Sequence, residues 1–255
     1  MLAVALALPW RLLILFAAGV GAGVSNAVAG GGTFITFPTL LALGVPALQA
    51  NLSTTVGIAP SFFGSLRVFR KQLATHWSLL RSLAPAAVLG TLAGCALLLT
   101  GAPGTFRAIV PWLIGAGTLL FALSPWITRR LAHVDHRHPA RRGGLYVGVF
   151  TISIYGGYFG AGLGILLLAV MSLSLPYEIH ELQILRNVLS LIITVAAGIV
   201  FVIHGHLALQ AVSLLLVGTL AGGWLGASLM RRLSATWVRA LVIALGAVTT
   251  LRLAL

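Results

Sequence analysis

The sequence predicts an all-α polytopic integral membrane protein made of two inverted-topology repeats. Each repeat contains one short half-helix or re-entrant segment, and the whole chain has about 8–10 membrane segments. Three observations predict this fold: the composition, a succession of apolar segments, and an uneven distribution of basic residues. Of the 255 residues 59% are hydrophobic and 7% are charged, and the mean hydropathy is +1.07. Soluble domains average about 25% charged residues, so this chain cannot cover a water-facing surface.

The formal net charge of +13 is a second feature of the composition. In a soluble protein it would suggest a nucleic-acid partner, but here the basic residues cluster in loops between apolar segments. That distribution is typical of membrane topology, because cytoplasmic loops carry an excess of Lys and Arg. We therefore expect a lipid bilayer around the chain and no nucleic acid. Cys95 is the one cysteine, which excludes an intramolecular disulfide.

The apolar residues fall into ten segments. These are 12–29, 33–43, 47–66, 77–100, 105–127, 144–159, 163–175, 180–203, 207–230 and 235–255. Six of the ten have about 20 or more residues, enough to cross ~30 Å of hydrocarbon. Segments 33–43 and 163–175 reach only ~16–20 Å as helices, so we interpret them as half-helices or re-entrant segments.

The basic residues test this segment count, since successive loops alternate sides of the membrane. Twelve fall on one side, namely Arg67, Arg70, Lys71, Arg81, Arg129, Arg130, Arg137, Arg141, Arg142, Arg231, Arg232 and Arg239, and three on the other, namely Arg11, Arg107 and Arg252. The richer side is predicted to be the cytoplasm of a bacterial inner (plasma) membrane, with both termini outside. An odd number of crossings per half gives the halves opposite orientations. The predicted domains are a first repeat 1–127, a basic cytoplasmic linker 128–143 and a second repeat 144–255.

Two glycine clusters about 130 residues apart each open one of the short segments. The first is Gly30, Gly31 and Gly32, and the second contains Gly160, Gly162 and Gly164. Paired interrupted segments in a duplicated membrane protein indicate a transporter's binding site. The free N–H groups at the start of each following helix favour an anion, and Thr33 is a candidate N-cap for the first. The alternative is that the glycines only permit tight helix packing.

Polar residues follow each short segment, at the start of the next helix. The candidates for substrate binding are Asn51, Thr54 and Thr55 in the first half and Gln183, Arg186 and Asn187 in the second. Aligning Gly32 with Gly164 places Asn51 opposite Gln183 and Thr55 opposite Asn187. The alternative is that these amides and hydroxyls only tie helices together.

Arg186 lies about two turns inside an apolar segment. An arginine at the bilayer centre costs ~2.5–3.5 kcal/mol on insertion scales, so such residues are functional candidates by default. Its planar guanidinium matches the oxygens of a sulfonate, carboxylate or phosphate. The alternatives are a structural ion pair with Glu181 or Glu178, or a side chain that extends to the membrane surface.

Acidic residues are scarce: Asp135, Glu178 and Glu181 are the whole set. Glu178 and Glu181 are candidates for a proton relay, although capping of the helix that starts near residue 180 is favoured. The central loop carries His133, Asp135, His136 and His138, whose spacing matches no metal site. We expect no cofactor, and the chain has no motif of a metalloprotease, serine hydrolase or P-loop enzyme.

At these residues the chain resembles the TauE/SafE sulfite exporter family, also called the 4-toluene sulfonate uptake permease family. In the first half the resemblance rests on Gly19-x-Gly21-x-Gly23, on Gly30-Gly31-Gly32 with Pro38, and on Ala50-Asn51-x-x-Thr54-Thr55. In the second half it rests on Tyr155-Gly156-Gly157-Tyr158-Phe159-Gly160-Ala161-Gly162-x-Gly164 and on Leu185-Arg186-Asn187-x-Leu189-Ser190. The resemblance implies a membrane carrier for sulfite, organosulfonates or related small anions. Many members carry lysine where Arg186 stands.

The sequence thus predicts a secondary transporter, an exporter, of a small anion such as sulfite or an organosulfonate. The transport cycle is alternating access around a site near the membrane midplane. A passive anion channel and a non-transporting membrane subunit remain alternatives, and an enzyme is not expected. The coupling ion and the oligomeric state are left open, and a homo-oligomer is compatible with the sequence.

Overall fold

A computed structural model describes residues 8–28, 30–63, 74–131, 142–229 and 235–254, and these residues form helices and short turns without any strand. The α-helices are α1 (Leu8–Val28), α2 (Thr33–Ala42), α3 (Ala47–Ile58), α4 (Trp77–Thr100), α5 (Pro103–Leu131), α6 (Arg142–Tyr158), α7 (Leu163–Ser174), α8 (Ile179–His204), α9 (Leu209–Leu229) and α10 (Ala235–Ala254). A 3₁₀ turn (Ala59–Phe62) continues α3.

Five of these helices are long and apolar enough to cross a membrane: α1, α4, α5, α8 and α9. Helices α2 and α7 are apolar but have only 10 and 12 residues, which gives them a length of about 15–18 Å. The all-helical membrane fold and the two short segments predicted from the sequence are therefore confirmed.

The prediction of a full-length helix over 47–66 is wrong. Helix α3 has 12 residues and ends at Ile58, where the chain tightens into the 3₁₀ turn. Pro60 lies in this turn, and its ring removes a backbone N–H and clashes with the preceding turn of an α-helix. The apolar run conceals the break, because Ala59, Phe62 and Phe63 maintain hydrophobicity through it.

The two halves pack against each other reciprocally. Helix α1, the first of the first half, has its most extensive interface with α9, the fourth of the second half. Helix α6, the first of the second half, packs in the same way against α4, the fourth of the first half, and the last helices α5 and α10 pair with each other. This reciprocal pairing agrees with the two similar halves that the sequence predicts. The opposite membrane orientation of the halves and their exact boundaries stay predictions.

Glycines allow the helix backbones to approach closely at the two reciprocal interfaces. A Cβ built on Gly19 of α1 would lie 3.1 Å from the Cα of Gly218, and one on Gly23 would lie 2.5 Å from the nitrogen of Gly223. Between α4 and α6, a Cβ on Gly94 would collide with the carbonyl oxygen of Ile154. Small residues that let helix backbones approach are typical of membrane helix interfaces. Tight packing therefore accounts for these glycines.

Aromatic residues fix the first short helix beside the start of the second. The rings of Phe34 and Phe121 lie 5.6 Å apart, and those of Phe37 and Phe159 meet edge to face at 5.5 Å. All four side chains are buried. Because Phe159 immediately precedes the second glycine cluster, this packing brings the two glycine clusters into one region of the molecule.

Candidate functional site

Arg186 of α8 lies between the two glycine clusters. A Cβ built on Gly30 would stand 3.7 Å from both terminal guanidinium nitrogens of Arg186, and one on Gly164 would stand 3.2 Å from Nη1. A single side chain therefore lies beside the backbone of both clusters, although they are far apart in sequence. The structure thus brings Arg186, Gly30 and Gly164 together.

Arg186 has no protein partner in the described part of the chain. Its Nε is buried without a hydrogen bond, and the ion pair found among the described residues joins His76 to Glu181 instead. The predicted alternative of an ion pair between Arg186 and Glu178 or Glu181 is therefore wrong. The guanidinium of Arg186 has intermediate exposure and unused N–H donors, so it can bind an anion.

The two glycine segments enter their short helices with matching backbone geometry. Gly30 has a φ of +81° and Gly162 a φ of +77°, and these positions correspond when Gly32 is aligned with Gly164. Gly160 also has a positive φ, of +75°. A residue with a side chain is strained in the left-handed region, so the turn requires glycine at these positions.

Asn26 caps the first short helix, which corrects the prediction of Thr33. The N-cap position is Gly32, and Thr33 is the first helical residue. Oδ1 of Asn26 accepts a 2.7 Å hydrogen bond from the Gly32 N–H, and its Nδ2 donates to Oγ of Ser61 at 2.9 Å. Asn26 thereby ties the first glycine cluster to the turn after α3. Sequence reasoning missed it, although a lone Asn in an apolar helix was the available signal.

The second glycine segment keeps more of its donors free. The hydroxyl of Tyr155 donates to the Ala161 carbonyl at 2.6 Å, and the Gly160 N–H bonds back to the Tyr155 carbonyl at 3.1 Å. Within residues 155–166, all of which the structure describes, the N–H groups of Ala161, Gly162 and Gly164 donate no hydrogen bond. These groups open α7, so they form a helix N-terminus that can receive negative charge.

The polar residues predicted on α3 are buried. Some of their polar atoms make structural hydrogen bonds, and others have no partner. Nδ2 of Asn51 donates to the Tyr158 carbonyl at 3.0 Å and so joins the two halves. The hydroxyl of Thr55 donates to the Asn51 carbonyl at 3.0 Å, a structural hydrogen bond within α3. In contrast, Oδ1 of Asn51 and Oγ1 of Thr54 are buried without partners. The alignment that pairs Gly32 with Gly164 also pairs Thr54 with Arg186, so equivalent positions carry unused polar groups.

Gln183 and Asn187 flank Arg186 on α8 and are half-buried. No hydrogen bond or ion pair between described residues joins either of them, or Asn51, Thr54 or Thr55, to Arg186. Gly31 and Gly32 are closely surrounded, because a Cβ would lie 2.7 Å from the Phe121 ring at Gly31 and 2.8 Å from the Ala22 carbonyl oxygen at Gly32.

Glu178 and Glu181 lie at the start of α8 and form a capping box. Oε2 of Glu181 accepts a 3.2 Å hydrogen bond from the Glu178 N–H, while Oε1 lies 3.3 Å from Nε2 of His76. The ring of His76 also packs on Tyr177 at 4.6 Å. The favoured interpretation of these acids as a cap agrees with this geometry. The histidines and Asp135 of the central loop lie outside the described residues.

An unpaired arginine between two interrupted segments of a helical membrane bundle is the site architecture of a membrane transporter. The chain belongs to the Sulfite exporter TauE/SafE family, whose sequence model matches residues 15–253. It is also similar to a Haemophilus influenzae protein named Probable membrane transporter protein, with 30% identity over 251 residues, 95% of this chain and 94% of the relative. A Sinorhizobium sp protein named Probable membrane transporter protein ORF9 is 33% identical over 164 residues, 60% of this chain and 58% of the relative.

These comparisons confirm the family resemblance found in the glycine and Arg186 motifs. They also agree with the five helices able to span a membrane. The chain is an integral membrane transporter, and its family and relatives carry transporter names and no enzyme name.

Proposed function

We propose that the chain is a secondary transporter that exports a small oxyanion, such as sulfite or an organosulfonate, and that Arg186 binds the anion between the two glycine segments. The observation that carries this proposal is the unpartnered guanidinium of Arg186 against the backbones of Gly30 and Gly164. The name of the family supports sulfite as the substrate.

The energetic argument rests on charge compensation. A cation removed from water without a partner costs several kcal/mol, and a bound anion offsets that cost by direct attraction. The guanidinium fork can donate two parallel hydrogen bonds to neighbouring oxygens of one anion. The free N–H groups of Gly162 and Gly164 would stabilise the same charge through the N-terminus of α7.

Further contacts would come from the helices that follow the short segments. Thr54 and Oδ1 of Asn51 have unused hydrogen-bonding capacity, and Gln183 and Asn187 flank the arginine. In alternating access, rocking of one inverted repeat against the other would move one glycine segment relative to Arg186. The central basic linker would be cytoplasmic and both termini outside, and Glu178 and Glu181 would be the acids available for a proton relay.

Uptake of radiolabelled sulfite into proteoliposomes tests this proposal. Wild-type flux should saturate, and Arg186→Gln should lower it about 10- to 100-fold, the range expected when a charged hydrogen-bond donor is lost. Arg186→Lys keeps the charge without the planar fork and should retain an intermediate flux. Arg107→Gln, which removes an exposed arginine of α5, is the matched control and should transport normally.

Equal flux in wild type and Arg186→Gln, at equal amounts of inserted protein, would refute the role of Arg186. Flux that rises without saturation and shows no counterflow would instead favour the passive anion channel. Absence of flux for sulfite and for several organosulfonates would favour the non-transporting subunit.

A further inference from the structure

A cavity of about 480 Å³ lies between α1, the end of α2 and α10, away from Arg186. Ile14 of α1, Leu43 after α2, and Leu245 and Val248 of α10 contribute to its wall. The second half of α2, which has 10 residues in all, forms one side of the cavity between the longer helices α1 and α10. Its volume is in the range of small-molecule sites, about 300–1,000 Å³.

Apart from Arg252 and two threonines, the wall residues are apolar. The hydroxyl of Thr39 donates to the Ile35 carbonyl at 2.7 Å, and that of Thr249 donates to the Leu245 carbonyl at 2.7 Å. Both hydroxyls are therefore satisfied within their own helices and offer no donor to a ligand. In the apolar part of the cavity a small inorganic anion would lose its hydration without compensation, so that part suits an apolar group.

Positive charge lies beside this apolar space. Arg252 is part of the wall, is exposed, and has no hydrogen bond or ion pair with another described residue. Nη2 of Arg11 donates to the carbonyl of Leu43, another wall residue, at 2.9 Å. Arg11 and Arg252 are two of the three arginines that the charge distribution places outside, and none of the wall residues is acidic.

The cavity is accessible from the lipid-facing side of the bundle. Val248 is 52% exposed and Leu253 37% exposed, and Ile14 of the facing helix is 36% exposed. In a membrane protein, large apolar side chains exposed on long helices face acyl chains. A ligand can therefore enter from the bilayer.

We propose that this cavity binds one acyl chain of an anionic phospholipid, with the lipid phosphate held by Arg252 and Arg11. An acyl chain matches the apolar wall, and an anionic headgroup matches the two arginines. The leaflet would be the one on the side of both chain termini. None of the wall residues of this cavity belongs to the proposed anion site.

Native mass spectrometry of the full-length protein tests this inference. Delipidated protein titrated with phosphatidylglycerol should retain one tightly bound lipid, and phosphatidylethanolamine should bind more weakly. Arg252→Gln should weaken phosphatidylglycerol binding about fivefold, as expected for one cation near a membrane surface. Arg252→Lys should retain most of the affinity, and the control Arg107→Gln should bind as wild type.

Two further measurements separate the acyl chain from the headgroup. Val248→Trp, which fills the cavity from an exposed position, should reduce lipid retention without changing the melting temperature. A phosphatidylglycerol with a photoreactive group in its acyl chain should label residues 38–43 and 245–253. Equal retention by wild type, Arg252→Gln and Val248→Trp would overturn the proposal. So would full competition by inorganic phosphate, or labelling confined to other helices.

Discussion

The backbone of Gly164 lies so close to Arg186 that one added methyl group would meet Nη1 at 3.2 Å. The equivalent distance from Gly30 is 3.7 Å, an ordinary van der Waals contact. The second glycine cluster therefore sets the position of the guanidinium more closely than the first. This asymmetry allows the position of the charge to be perturbed without removing it.

Gly164→Ala should impair transport while leaving the protein as stable as wild type. The added methyl group must push the guanidinium by a few tenths of an ångström, and misplacement of a charged donor weakens its hydrogen bonds. Alanine is at least as favourable as glycine in the first turn of α7. We expect KM for the anion to rise about 3- to 10-fold, equivalent to about 0.7–1.4 kcal/mol, as measured by flux in proteoliposomes.

Gly104→Ala is the matched control for this change, because a Cβ there would meet nothing within 4 Å. It should leave both KM and the melting temperature unchanged. An unaltered KM in Gly164→Ala would show that the anion does not depend on where Nη1 stands.

Gly162→Ala should reduce stability, for a conformational reason. Gly162 has a φ of +77°, and the nearest atom to an added Cβ would be Cδ2 of Leu120 at 3.4 Å. Space is therefore available, and the cost of about 1–2 kcal/mol comes from the left-handed backbone. Asn tolerates this region better, so Gly162→Asn should recover part of the loss in thermal unfolding. If the Ala and Asn variants unfold at the same temperature, strain at this φ is not the cause.

Thr54→Val should lower transport without destabilising the protein. The hydroxyl of Thr54 is buried and unpartnered, and replacing it by a methyl group of the same shape is close to neutral or stabilising. Thr91→Val is the matched comparison, because the buried Thr91 hydroxyl donates to Ala87 at 2.7 Å and its loss should cost about 1 kcal/mol.

Flux and thermal unfolding should be measured on both threonine variants. A destabilised Thr54→Val with normal flux would mean that this hydroxyl is structural. Normal flux without any change in stability would remove Thr54 from the proposed site.

Substitutions of Glu181 should distinguish a helix cap from a proton relay. Gln can replace Glu at this position of a capping box, so Glu181→Gln should keep the cap and transport normally. Glu181→Ala removes one of the two hydrogen bonds of the capping box and the contact with His76, and it should lose about 0.5–2 kcal/mol of stability. Flux driven by a pH gradient is the test. Its abolition in Glu181→Gln, with uncoupled exchange preserved, would identify Glu181 as a proton carrier.

The sequence was sufficient to predict the short helices and to single out Arg186 as a candidate, whose role in binding stays a prediction. The first glycine cluster and Pro46 mark the two ends of the first short segment. Arg186 is conspicuous because it is charged within an apolar helix. Such patterns result from constraints that act within a few residues, so they can be identified from the sequence without knowledge of the fold.

Features that depend on distant residues could not be predicted in this way. The side-chain amide of Asn26 donates to Ser61, 35 residues further along the chain, and no local pattern indicates that pairing. The break at Pro60 is hidden by the apolar residues around it. The cavity near Arg252 requires α1, α2 and α10 to meet, and no local pattern encodes that meeting.

The reciprocal packing of the helices also sets an order of assembly during synthesis. Helix α6 begins about 40 residues after Thr100 and ends about 60 residues after it, so the interface of α4 with α6 can form early. Helix α1 must wait for α9, which begins about 180 residues after Val28. At 5–20 residues per second that wait is about 10–40 s. Throughout this interval the backbone groove at Gly19 and Gly23 has no partner within the chain. A protein truncated before α9 would keep its arginine and both glycine clusters but would leave this face of α1 without its main packing partner.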